Sequence, residues 1–263
     1  MPQLFSPPGK HRQRPRADGP LVSGGWCRRC ERDHFLPSGA AQQACHDLMV
    51  QLERHRRIDL EVAEDLADPR CATAGLFAEA GGKMFGVLTC RDAGGTPVVL
   101  RAFSGQYNGL WQVPGWVGPV FDPLAFQRLS APVESRIKAL GRRLTRLPEH
   151  APARLLLREQ RRILSRQLMG AIHGLYQLVN FRGDQAPLTT VFLGRGLPPT
   201  GTGDCCAPKL LHHAAQLGLR PEGLAEMYWG RANRSATRQH GHLYPACAEK
   251  CRPILGFMLC GLS

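Results

Sequence analysis

Cysteine is the residue whose number and spacing most directly indicate chemistry in this sequence. The 263-residue chain has ten cysteines, and six of them fall in three close groups. The groups are Cys27 with Cys30, Cys205 with Cys206, and Cys247 with Cys251. The first twenty residues lack the apolar stretch of a secretory signal, so we expect reduced thiols, and metal or redox chemistry rather than disulfides.

Three of these thiols are predicted to converge on one metal ion. We expect Cys205 to begin one helix, and Cys247 and Cys251 to begin the next, one turn apart. The positive end of a helix stabilises the thiolate, which is the form that binds metal. Zinc fits because it accepts thiolates tetrahedrally without redox chemistry. The alternative is that the three thiols are small buried apolar groups that bind nothing.

A second zinc site is suggested near the N-terminus, from Cys27, Cys30, His34 and Cys45. A single Cys-x2-Cys pair supplies only half of a tetrahedral ligand set. The alternative is a reduced pair of surface thiols or a thiol switch.

The charge of the chain indicates a polyanionic partner. The 34 Lys and Arg residues exceed the 21 Asp and Glu residues, for a formal net charge of +13. Between Arg128 and Arg166, eleven basic residues accompany three acidic ones. The side chains that we expect to contact RNA there are Arg142, Arg143, Arg158, Arg161 and Arg162, because arginine binds phosphate in a bidentate manner. The alternative is the solvated face of an amphipathic helical hairpin.

A loop rich in glycine and proline follows residue 103 and carries three large aromatic side chains, Tyr107, Trp111 and Trp116. Exposed aromatic rings in such a loop could stack on a base of a nucleic acid. They could equally form the contact surface for a protein partner.

The elements that would position these residues follow from apolar periodicity and from turn residues. We predict a hairpin over 83–104, helices over 124–180 divided by Pro148 and Pro152, a strand over 188–193, a helix over 205–216, a strand over 223–229 and a final buried strand, ILGFMLCG. The predicted organisation is a disordered basic tail (1–22), a small helical segment (23–75) and an α/β domain (76–263) with a helical insertion at about 124–180. No apolar run approaches the ~18 residues of a membrane span, so we expect a cytoplasmic protein without membrane contact.

Most of residues 83–263 resembles the region that precedes the catalytic domain in some bacterial RluA-type pseudouridine synthases. The segments that carry this resemblance are GKMFGVL, AFSG, PVFD, GTGDCCAPKLL, AEMYWG and YPACAEKCRPILGFMLCG. The His-Arg-Leu-Asp motif of those synthases, with its nucleophilic Asp, does not occur. The resemblance therefore implies association with RNA modification, with tRNA or rRNA and an RNA-modifying enzyme as partners, rather than synthase activity.

A shorter resemblance is to the zinc-dependent cytidine-deaminase-like fold. Its order is a hairpin, a helix with a His/Cys-x-Glu motif, a strand, and a helix that opens with a cysteine pair. This resemblance implies a three-layer α/β sheet, with the basic helical hairpin inserted and the small helical segment before it. It also implies zinc ligation by Cys205, Cys247 and Cys251.

The deaminase resemblance fails at its catalytic carboxylate. Ala207 stands where the proton-shuttling Glu would be, or Pro208 does if Cys206 is the ligand. Alanine cannot move a proton between a metal-bound water and a ring nitrogen. The site is therefore structural, or one of Asp204, Glu226 and Glu249 supplies the carboxylate.

Three functions remain open on the sequence, and the first is favoured. It is an RNA-associated accessory protein on a zinc-binding, deaminase-like scaffold without the usual catalytic Glu, and hence not an enzyme. The second is an active zinc-dependent nucleobase or nucleotide deaminase. The third is a metal-free module that binds a protein partner through the aromatic loop.

Overall fold

The computed structural model describes residues 21–79 and 81–262. The predicted disordered tail, residues 1–22, lies outside the described residues except for its last two, and Val22 begins a strand. The strands are β1 (Val22–Cys27), β2 (Arg32–Pro37), β3 (Lys83–Arg91), β4 (Pro97–Phe103), β5 (Gln177–Val179), β6 (Gln185–Pro187), β7 (Arg220–Trp229) and β8 (Leu243–Tyr244). The helices are α1 (Ala41–His55), α2 (Pro123–Arg146), α3 (Ala153–His173), α4 (Leu188–Val191), α5 (Cys206–Gln216) and α6 (Arg252–Met258). Within the described part of the chain, no helix combines the length and apolar character needed to cross a membrane.

A four-stranded antiparallel sheet in the order β4-β3-β7-β8 lies at the centre of the molecule. β3 pairs with β4 from Phe85 to Arg91, which confirms the predicted 83–104 hairpin. Side chains along β3 alternate between two cores, with Phe85 and Val87 on one face and Leu88 on the other, as the two-residue period of a strand requires. Helix α1 covers the first face and α5 covers the second. The mixed α/β class is therefore as predicted.

The segment 23–75 is not wholly helical, because it begins with the antiparallel hairpin β1–β2. In β2 the side chains of His34 and Leu36 are buried while Phe35 between them is exposed. This alternation is a strand signal that is too short to stand out beside the helical pattern that follows. Helix α1 then packs its apolar face on β3 and β7.

Helices α2 and α3 form an antiparallel hairpin, here called the arm (residues 123–173). Asp122 begins α2 by accepting a hydrogen bond from the backbone N–H of Leu124, as N-cap carboxylates do. Pro148 and Pro152 lie between the helices, as predicted. Phe126 and Ile172 anchor the base of the arm on the core around α5, while α2 and α3 otherwise pack mainly on each other.

Two predicted strands are helices. LTTVFL at 188–193 contains the short helix α4, and ILGFMLCG contains most of α6. A short apolar run bounded by turns fits a buried strand and a buried helix equally well, because burial on every side removes the periodic signal. Proline at the first turn of α6 was the available sign of a helix start.

Helix α6 and strand β1 touch through their backbones. A Cβ atom at Gly25 would collide with the carbonyl oxygen of Arg252, and one at Gly256 would collide with the carbonyl of Trp26. Glycine at both positions permits this approach, which brings the C-terminal end of α6 to the β1–β2 turn.

Candidate metal centres and basic arm

Cys205, Cys247 and Cys251 form one compact group, here called the three-cysteine centre. Their Sγ atoms all lie within 4.8 Å of one another. Cys205 is the N-cap of α5 and Cys251 is the N-cap of α6. The backbone N–H of Cys251 donates to the carbonyl of Cys247, which holds these two residues one turn apart. The structure thus brings together the three predicted ligands in a group that could hold a metal ion.

The three thiols do not titrate alike. Hydrogen bonds from Cys205 and Cys251 lower the pKa of the Cys247 thiol far below its usual range. The hydrogen bond with Cys247 raises the pKa of the Cys205 thiol, although the bond with Cys251 opposes the shift. Hydrogen bonds with both other thiols raise the pKa of the Cys251 thiol, and burial raises both pKa values further. One thiolate is therefore already favoured at neutral pH, and a metal ion would displace the remaining protons.

A buried carboxyl group lies beside this centre. Glu226 of β7 is 4% exposed, and its Oε1 accepts a hydrogen bond of 2.9 Å from the backbone N–H of Ala207. Burial raises the pKa of Glu226 to about 8, and the negative charge of Cys247 acts in the same direction. Position 207 has no carboxyl group of its own, but the carboxyl group of Glu226 on the neighbouring strand β7 lies at the same turn of α5.

The other two candidate carboxylates differ in environment. Asp204 accepts a hydrogen bond of 2.6 Å from the hydroxyl of Tyr176. Burial raises the pKa of Asp204, although Tyr176 opposes the shift. Glu249, between the two cysteines of the turn before α6, is exposed to solvent.

Lys209 of α5 is a buried cation that the sequence analysis missed. Its Nζ donates to the carbonyl oxygens of Phe103, at 2.9 Å, and Gly105, at 2.8 Å. Burial lowers the pKa of Lys209 to about 8. A single lysine inside the otherwise apolar stretch APKLL was the available signal.

Cys27, Cys30, His34 and Cys260 form a second group, here called the Cys3His cluster. Their ligand atoms also lie within 4.8 Å of one another, so the group could hold a metal ion. Burial raises the pKa of the Cys30 thiol, but hydrogen bonds led by that of His34 lower it to about 6 overall. Three of the four predicted ligands of the second site are thus together.

The fourth predicted ligand of that site, Cys45, lies elsewhere. It is buried on α1, and its thiol donates to the carbonyl of Ala225 in the core on the other side of the sheet. Cys260 takes its place in the cluster. No local pattern indicates this, because Cys260 lies 230 residues from Cys30 and its own segment predicts a strand.

The five predicted RNA-contacting arginines all lie exposed on the arm. Arg162 forms an ion pair of 2.6 Å with Glu159. Among the described residues, Arg142, Arg143, Arg158 and Arg161 form no ion pair, so their guanidinium groups are available to a ligand.

The three aromatic candidates are less accessible than a base-stacking role requires. Tyr107 and Trp116 are buried, and they donate hydrogen bonds to the carbonyls of Ala72 and Ile58. Trp111 is partly exposed and packs edge-on against Phe121, with ring centroids 4.9 Å apart. Only Trp111 of the three presents part of its ring to solvent in this conformation.

Comparison of the chain with protein-family models, with curated proteins and with solved structures gives no match.

Proposed function

We propose that this chain is an RNA-binding accessory protein of RNA modification, and that its arm binds the phosphate backbone. The observation that carries the proposal is the set of exposed arginines without ion pairs on α2 and α3. The arm has eleven basic and three acidic residues between Arg128 and Arg166. A solvated structural helix gains nothing from so unbalanced a surface, because like charges repel one another.

The arrangement of the arginines supports a polyanion with regularly spaced charges. Arg158, Arg161 and Arg162 are three and four residues apart on α3, so they share one face. Arg154 joins the helices by donating to the carbonyls of Leu144 and Leu147 in and after α2. This contact holds Arg142 and Arg143 at the same closed end of the arm as Arg158.

The experiment is RNA binding by the full chain at several salt concentrations. Replacement of Arg142, Arg143, Arg158 and Arg161 by Glu is expected to weaken binding at least tenfold and to reduce the slope of log K against log[salt] by about the number of lost phosphate contacts. Replacement of Arg28, Arg54, Arg195 and Arg234 by Glu is the control, since these arginines are exposed, form no ion pair within the described part of the chain and lie outside the arm. Salt-independent binding, or equal loss in both variants, would contradict the proposal.

The metal proposed for the three-cysteine centre is zinc. Three thiolates satisfy three of its four tetrahedral positions, and the Sγ atoms of Cys205, Cys247 and Cys251 already lie within 4.8 Å of one another. In the accessory protein this ion has a structural role, since it joins the start of α5 to the start of α6.

A second candidate function, zinc-dependent deamination of a nucleobase, is favoured by Glu226. The sheet order β4-β3-β7, with α5 between the hairpin and β7, also agrees with the deaminase-like order. A bound zinc would supply the Lewis acid for attack by water. Glu226, with its raised pKa, can hold a proton at neutral pH and return it to a ring nitrogen.

A deamination assay of the full zinc-loaded chain separates the two functions. If the second holds, Glu226→Gln is expected to lower the rate by ~10²–10⁴-fold, the usual contribution of general acid–base catalysis. Glu222→Gln on the same strand is the control, because Glu222 is exposed and paired with Arg91. The accessory function predicts that wild type, Glu226→Gln and Glu222→Gln all fail to deaminate the nucleobase.

A further inference from the structure

The Cys3His cluster joins the two ends of the described chain. Cys27 ends β1, Cys30 lies in the β1–β2 turn, His34 lies in β2, and Cys260 follows α6. The close approach of α6 to β1 at Gly25 and Gly256 brings Cys260 to the hairpin. The four side chains are thus gathered by two elements from opposite ends of the sequence.

The separations between ligand atoms suit a tetrahedral ion. Zinc–sulfur bonds of about 2.3 Å place two thiolates of a tetrahedral site about 3.8 Å apart. The Sγ atoms of Cys30 and Cys260 are 3.7 Å apart. The Sγ of Cys30 and the Nε2 of His34 are 2.9 Å apart, so these two atoms must separate by about half an ångström to share an ion.

The chemistry of the four donors is complete for zinc. Three thiolates and one imidazole fill all four tetrahedral positions, which is the ligand set of a closed, structural site. Cys27 and Cys260 are each 1% exposed and His34 is 8% exposed, so these three ligands are shielded from competing solvent. Arg32 hydrogen-bonds to Cys30 and offsets the net negative charge that three thiolates leave on a divalent ion.

We propose that Cys27, Cys30, His34 and Cys260 bind a structural zinc ion that fastens the N-terminal hairpin to the end of α6. This ion is separate from the one proposed for the three-cysteine centre, and the inference does not rest on the proposed function. The site leaves no position for a substrate or a water, so its role is stability.

Zinc content of the full chain, purified without an affinity metal, tests the site. Cys260→Ser is expected to lose one zinc per chain relative to wild type. Cys45→Ala is expected to lose no zinc, because Cys45 lies in the separate core. This variant is the matched control, since Cys45 is the fourth ligand that sequence spacing alone would choose. Cys247→Ser is expected to lose the other ion and to retain this one. Unchanged zinc in Cys260→Ser would overturn the proposal.

A measurement on the wild-type chain decides the question if Cys260→Ser fails to fold. Native alkylation followed by peptide mass analysis is expected to show Cys30, the partly exposed thiol of the cluster, protected until zinc is removed by a chelator and modified afterwards. Cys27 and Cys260 are shielded by burial alone and do not report on the ion. Two results would contradict the metal site. One is a disulfide between Cys30 and Cys260 in the freshly purified protein, and the other is alkylation of Cys30 before the chelator is added.

Discussion

Two ionisable groups are buried near the start of α5, and each has a pKa of about 8. Burial raises the pKa of Glu226 and lowers that of Lys209, because it disfavours the charged form of both. At pH 7 both groups are therefore mostly protonated, so Glu226 is neutral and Lys209 is charged, and each reaches half protonation only about one pH unit higher. A pKa this close to neutral pH suits proton transfer, and it distinguishes this end of α5 from an ordinary helix start.

A further buried ionisable group, His212 of α5, is expected to make stability depend on pH. Burial lowers the pKa of His212 to about 4, and its Nδ1 has no hydrogen-bond partner among the described residues. The unfolded chain, with a histidine pKa of about 6.5, binds the proton more readily. Stability is therefore fully present above pH 6.5 and is lost by up to about 3 kcal/mol as the pH falls from 6.5 to 4.

The pH effect can be measured by chemical unfolding of wild type and His212→Gln between pH 7 and pH 4. The variant is expected to lose this part of the pH dependence. His55→Gln is the control, because His55 is exposed at the end of α1. Equal pH dependence in wild type and His212→Gln would show that another group is responsible.

At the scale of elements, two helical glycines with opposite surroundings predict opposite effects of alanine. Gly256 of α6 lies against the backbone of Trp26, whereas Gly141 of α2 has no other heavy atom within 4 Å of the place its Cβ would take. Gly256→Ala is expected to destabilise the protein by about 1–3 kcal/mol through the forced separation of α6 from β1. Gly141→Ala is expected to stabilise it by up to about 1 kcal/mol through helix propensity alone.

Thermal unfolding of the two glycine variants checks this pair of predictions. A midpoint that rises or stays unchanged for Gly256→Ala would mean that α6 can move away from β1 without loss. Gly141 lies on the arm. A shift of the main unfolding midpoint in Gly141→Ala would therefore show that the arm unfolds together with the core.

At the scale of the whole molecule, the two candidate metal centres enclose α6. Cys247 and Cys251 precede the helix and Cys260 follows it. Chelation of zinc is therefore expected to increase amide hydrogen exchange in α6, because both of its ends lose a fixed point. Exchange in α1, which carries no ligand, is expected to change much less. Hydrogen exchange with mass spectrometry checks this, and an equal rise in both helices would indicate global unfolding instead.

Local patterns predicted the sheet hairpin and the division of the arm by prolines. The grouping of Cys205 with the distant Cys247 and Cys251 came instead from their positions at expected helix starts and from the deaminase-like resemblance. The sequence did not predict α6 as a helix, since a fully buried apolar segment lacks a periodic signal. Glu226 was one of three candidate carboxylates, but local patterns could not show that it lies beside Ala207, nor that Cys260 joins the Cys3His cluster. Their partners lie on other elements, and only the packing of α6 on β1 and of α5 on β7 brings them there.

The Cys3His cluster also imposes an order on synthesis. Cys30 leaves the ribosome 230 residues before Cys260, which at 5–20 residues per second is a delay of roughly 10 to 50 s. For that interval the nascent hairpin has two thiols and an imidazole but lacks its last ligand. If the cluster binds zinc as proposed, its first thiols stay open to oxidation and to other metals during that interval, and we expect maturation to depend on the zinc supply while translation is still in progress.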